Sequence, residues 1–263
     1  MPTRRGLLNR GQFVQAMRLR VGVACVLPAD TWKCNCRPRN CQPQDAAIDG
    51  NLAAVGTGQR FSREPCHGLV CRRRYERVMW RHDAIRDRLI ATFNRIDGLA
   101  ATREPNVGDP AHPQRRADIC VTKNGTKWML DVGVVCPATH SMVSGKATDK
   151  YPGRAAQIYA AKKKQTYVHV QNFVPFVVET GGRLHKDATD FVCRIIDDGV
   201  EDYKMERRRV FQCVAQALER QHAYMLSQLV KELHDDRRAR DLAHGGQQPQ
   251  HRHQHRRRPQ RRQ

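Results

Sequence analysis

The chain has 263 residues and a formal net charge of +21, from 47 Lys and Arg against 26 Asp and Glu. That length suits one compact domain with appendages, and the cationic excess points to a polyanion such as nucleic acid as partner. Neither an apolar run of about 18 residues, nor a lipidation motif or strongly apolar stripe, nor an apolar signal core after Met1 argues for a membrane.

Residues 1–33 carry one expected helix, Gln12–Val23, with Phe13, Met17 and Leu19 among arginines. Cysteines dominate the next stretch. Of ten in all, Cys25, Cys34, Cys36, Cys41, Cys66 and Cys71 crowd the first third, beside His67. Cys120, Cys136, Cys193 and Cys213 sit in apolar surroundings and read as buried thiols. With no secretory signal, a metal site in a reducing compartment is favoured over disulfides. Cys34, Cys36, His67 and Cys71 supply the four N/S ligands of a closed tetrahedral Zn²⁺ site, with Cys41 and Cys66 as alternative ligands. A metal-free knuckle is the other reading. The gap between the pairs, Gln42–Arg63, reads as an inserted loop.

A helix is expected over Trp80–Ile96, with Ile85, Leu89, Phe93 and Ile96 on one face. His82 within it reads as a surface or capping histidine. Gly98–Arg115, rich in Pro and Gly, reads as a loop and contains Arg103-Glu104-Pro105.

Arg116–Pro137 reads as a β-hairpin. Asn124-Gly125 suits a type I′ turn, which needs positive φ at both central residues. The flanks are β-branched and apolar (Ile119, Val121, Thr122; Trp128, Leu130, Val132). A turn at 124–125 pairs Lys123 with Thr126, and the same register sets Asp118 opposite Asp131. Directly opposed carboxylates repel, and one pKa rises. A divalent cation removes the conflict, and one or two carboxylates are what Mg²⁺ uses on phosphates. Two solvated strand-end aspartates are the plainer alternative.

Pro137–Pro152 is irregular. Gly153–Tyr167 is Ala-rich and helical, with Lys162, Lys163 and Lys164 at its end. A lysine there can orient a nucleophile or stabilise developing charge. Two extended runs follow, Tyr167–Val170 and Phe173–Val178, then a turn over 179–183 and a helix over Lys186–Ile196. Glu201–Asp235 reads as one long helix or two. After Gly246 the tail holds only His, Gln, Arg and Pro; 241–263 is expected to be disordered, its arginines suited to phosphate.

The order Glu104, Asp118, Asp131, lysine resembles the PD-(D/E)XK restriction-like nuclease pattern. More narrowly, with Cys34-Asn-Cys36, Cys66-His67-Gly-Leu-Val-Cys71 and Arg81-His82-Asp83, it resembles the C-terminal zinc knuckle and endonuclease of non-LTR retrotransposons. Ala117 stands where that family has proline, and Gly133, two residues after Asp131, where many restriction-like nucleases have lysine. The resemblance implies that the lysine comes from the next helix; Lys163, four residues before Tyr167, fits its spacing best. It also implies a restriction-like α/β fold, a mixed sheet flanked by helices. The expected divisions are an N-terminal remnant (1–33), knuckle segment (34–79), endonuclease (80–198), helical segment (199–240) and tail (241–263). The implied chemistry is Mg²⁺-dependent nicking of target DNA in the nucleus: Asp118 and Asp131 hold the metal, Lys163 is catalytic and Glu104 completes the shell or positions water. Arg81, Arg115, Arg116, Lys162 and Lys164 are the expected phosphate-binding cations. Retroelement RNA is a further possible partner. The alternative is an inactive DNA- or RNA-binding knuckle protein from a decayed element.

Overall fold

A computed structural model describes residues 69, 75–109, 111–139, 142, 146, 148, 151–197 and 199–245. The helix expected over 12–23, the expected zinc ligands Cys34, Cys36, His67 and Cys71, and tail residues 246–263 lie outside the described residues; 241–245, expected to be disordered, end the last helix.

Among the described residues four strands and four helices follow in the order α1 (Tyr75–Phe93), β1 (Leu99–Arg103), β2 (Ile119–Lys123), β3 (Thr126–Val135), α2 (Arg154–Thr166), β4 (Phe173–Glu179), α3 (Lys186–Ile195) and α4 (Tyr203–Gly245). The fold is α/β. The sheet order is β1-β2-β3-β4; the first three strands are antiparallel, and β4 runs parallel to β3 after the crossover through α2. Pro175, which cannot donate to a ladder, lies in the terminal strand.

The hairpin forms as its turn chemistry demands. Asn124 has φ 48° and Gly125 φ 77°, and Lys123 pairs with Thr126 and Ile119 with Leu130. Alternation along β3 then assigns its two faces. Leu130 and Val132 join the main core with Ile85, Leu89 and Phe93 of α1, Phe191 of α3 and Val210, Val214 and Leu218 of α4. Asp131, Gly133 and Val135 point the other way; Val135 packs with Ala155, Ala156 and Ala160 of α2. Each fully buried Leu, Ile or Phe contributes about 1.5–3 kcal/mol, so the main core dominates.

Several expectations are corrected. The boundary at 79/80 falls inside α1, since Tyr75–Met79 contains no helix breaker. Beyond the boundary expected at 198/199, α4 is one helix and packs into the main core. The loop over 98–115 begins with a strand: Leu99–Arg103 has modest β-propensity but finds a partner in β2. Tyr167–Val170 is a turn, not a strand; Val170 N–H bonds back to the Tyr167 carbonyl. Asp118 and Asp131 lie at β2 and β3, the middle strands of the sheet.

α2 starts without a capping side chain, at Gly153 with φ 85°. Buried Glu179, at the end of β4, takes over: its Oε1 accepts from the Ala156 N–H at 3.2 Å. A carboxylate there also complements the positive end of the helix dipole. The cap fixes α2 against β4, and with it the lysines.

Candidate active site

Asp118 immediately precedes β2 and Asp131 lies within β3. The two carboxyls are close enough to hydrogen-bond to each other. Asp118 Oδ2 accepts from the Val132 N–H at 2.6 Å and from His82 Nε2 at 3.0 Å. Lys163 Nζ, from α2, donates to Asp131 Oδ2 at 2.5 Å and to the Val132 carbonyl at 3.0 Å. Of the three neighbouring lysines, Lys163 is the one that turns inward; Lys162 and Lys164 are exposed, Lys164 bridging to Asp187.

Gly133 makes that approach possible. A Cβ at this position would lie 2.5 Å from Tyr159 Cε1 and 2.7 Å from Lys163 Cε. Lysine reaches the acids from the helix because the strand offers no side chain there. Tyr159 flanks it, with Nζ 5.2 Å from the ring centroid. Ala117 has a reason too: its N–H donates to the Pro105 carbonyl at 3.1 Å, a bond proline cannot make.

The electrostatics follow from burial and pairing. Burial raises Asp131; Lys163 pulls it down and Asp118 pushes it up again, leaving it at about 7. Burial would raise Asp118 as well, but hydrogen bonds from His82 and Asp131 and the charge on His82 hold it below the usual carboxylate range. For His82, burial disfavours the second proton, yet its bonds to Asp118 and to Asp83 (3.2 Å) win and raise its pKa. The outcome is one acid held below the usual carboxylate range by its imidazole partner and one acid raised to about 7.

Tyr167 walls the site. Its hydroxyl donates to the Arg116 carbonyl at 2.9 Å, and its ring stacks on Phe173 at 4.4 Å. Burial, then the negative charge of Asp131 and Asp118, raises its pKa.

The other expected site residues are placed differently. The Glu104 N–H bonds to the Asp118 carbonyl, but its carboxylate is engaged by Arg86 at 3.2 Å and Arg103 at 3.3 Å. It is beside the acids in backbone and apart from them in charge pairing. Arg81 is not a phosphate contact: it is 1% exposed, with Nη1 donating to the Leu69 carbonyl at 3.1 Å and facing His222 Nε2 at 3.2 Å. A helix rich in arginines gives no local sign of which one is buried. Arg115 pairs with Asp109 and donates to the Thr166 carbonyl, tying the loop after β1 to the end of α2. Arg116 is exposed and donates to the Glu104 carbonyl. His82 is neither a cap nor a surface residue; it is a member of the site. Its position seven residues after the start of α1 carried no signal, because its partner comes from another layer. The adjacent Asp83 was the available hint.

Among the described residues no cluster of three or more His, Cys, Asp or Glu side chains could hold a metal. Two carboxylates remain, and these suit a hard cation that keeps waters and phosphate oxygens as its other ligands. No protein-family model and no curated protein matches the chain.

Proposed function

We propose that the chain is a metal-dependent DNA endonuclease of the restriction-like type, derived from a non-LTR retrotransposon. The observation that carries this is the convergence of Asp118, Asp131 and Lys163, with Gly133 giving the lysine its path. A lysine absent from the strand and supplied by the helix, with the strand position emptied for it, supports a working site rather than a decayed one.

The donor set fits Mg²⁺: two half-buried carboxyls side by side, one of them raised to about 7 by desolvation and by its neighbour, against the pull of Lys163. Asp118 and Asp131 would hold the ion, which when bound supplies a Lewis acid for the scissile phosphate and acidifies a bound water. The chain's own residues do the rest. Lys163 places a cation beside Asp131, where charge develops on a phosphoryl oxygen. His82 and the Val132 N–H fix the rotamer of Asp118. Tyr167 and Phe173 close one side. Arg116 and Lys162, both exposed, are the proposed phosphate contacts along the strand that is cut. Cys34, Cys36, His67 and Cys71 are proposed to bind one structural Zn²⁺.

The test is nicking of supercoiled plasmid with and without Mg²⁺. Asp118→Asn and Asp131→Asn should abolish cleavage and leave duplex binding near wild type, because many arginines carry the binding. Wild-type rates in both variants would sink the reading. A chain that binds DNA and never cleaves it is the inactive nucleic-acid binder instead.

A further inference from the structure

On the far side of α1 from the acids, α1 and α4 enclose an open groove of about 620 Å³. The helices run antiparallel: Arg77 meets Glu232, Trp80 meets Tyr224 and Arg81 meets His222. Trp80, Ala84 and Arg88, four residues apart, line one wall, while His82 is rotated by roughly 200° from Trp80. Ala84 and Ala217 form a floor of small side chains. Trp80 is 48% exposed, and the tilted ring of Tyr224 lies 6.2 Å from it. Arg88 and Arg220 stand at the rim, both exposed. The one carboxylate in the groove, Asp87, is held by Arg86 at 3.0 Å.

We infer that this groove binds an unpaired strand of nucleic acid, a base stacking on Trp80 and its phosphates lying against Arg88 and Arg220. An exposed indole over an alanine floor offers a flat face without a hydrogen-bond code, which is what sequence-tolerant base stacking uses. Positive charge at the rim complements phosphate and would repel a basic partner, a second copy of this +21 chain included. A duplex, whose bases are already stacked, has nothing to place on the ring. The groove requires nothing of the acids, so its reading stands apart from the cleavage reading.

The experiment uses the full chain at about 0.3 M salt, where non-specific phosphate contacts are weak. Tryptophan emission is followed on adding oligo(dT), oligo(U) or a duplex of equal length. Both single strands, or one of them, should quench and the duplex should not; the dT and U arms tell DNA from RNA. Trp80→Ala should weaken binding of the quenching strand about tenfold, as for loss of one stacked base. Arg88→Glu, at an exposed rim position, should weaken it as well and serves if Trp80→Ala does not fold. Asp131→Asn should bind like wild type, so loss of cleavage does not mimic loss of the groove. Absence of quenching, equal quenching by duplex, or wild-type affinity in Arg88→Glu overturns the inference. So does a dimer that shields Trp80 from iodide.

Discussion

Gly133→Ala tests how the site is assembled. The added Cβ would lie 2.5 and 3.0 Å from two Tyr159 ring carbons and 2.7 Å from Lys163 Cε. Carbons rest about 3.5–4.0 Å apart, so ring and lysine must each retreat by roughly 1 Å. Tyr159 is anchored on a helix, so α2 itself is strained. Overpacking costs about 1–3 kcal/mol, offset by about 0.4–1 kcal/mol from the stiffer unfolded chain. The net loss of roughly 1–2 kcal/mol lowers Tm by about 2–8 °C. The rate suffers more, since displacing one preorganised charge slows chemistry by about 100-fold or more. Plasmid nicking and a thermal melt are the assays. Adding Tyr159→Ala removes two of the three contacts and should recover part of the melting loss but not the rate. If Gly133→Ala nicks within about threefold of wild type, the strand was not emptied for the lysine.

Lys163→Met should lower the nicking rate by about two orders of magnitude with duplex binding nearly unchanged, as read by single-turnover cleavage and filter binding. His82→Ala removes the imidazole bonded to the Asp118 carboxylate; nicking should fall while the melt moves little, and His82→Gln, whose amide can still donate, should recover part of it. His222 gives a pH signature. Burial, then the charge of Arg81, depresses its pKa from 6.5 to about 3. Its neutral form is the native one, so the stability it preserves is present above pH 6.5 and lost as pH falls toward 3. The slope over two pH units amounts to about 2–3 kcal/mol, and His222→Gln should flatten it in denaturant melts at pH 4.5–7. Mass spectrometry of protein lacking the His-rich tail should find one zinc per chain; a zinc-free folded chain refutes the knuckle.

The hairpin was legible because Asn124-Gly125 is a local signal with one geometric solution, and its register carried Asp118 to Asp131 without any tertiary knowledge. Lys163 was legible only through spacing to Tyr167, since three adjacent lysines differ in which face of α2 they occupy. β1 was not legible: Leu-Ala-Ala-Thr-Arg acquires strand character from its neighbour. His82 and Arg81 were misread together. Adjacent on α1, one turns to the acids and the other to the core, and only the packing of α4 decides which.

Arg81 also bears on how such a protein is put together. Its guanidinium, buried between helices, takes the carbonyl of Leu69 as an acceptor, and Leu69 itself is 1% exposed. A chain shortened to begin at α1 would leave that charge short of an acceptor in an apolar place and an empty socket beside it, a loss of about 1–3 kcal/mol for the hydrogen bond alone. Leu69 and the α/β fold that begins at α1 are therefore not interchangeable cassettes. A recombination junction that spared the fold would fall upstream of Leu69, and the two parts would be inherited as one piece.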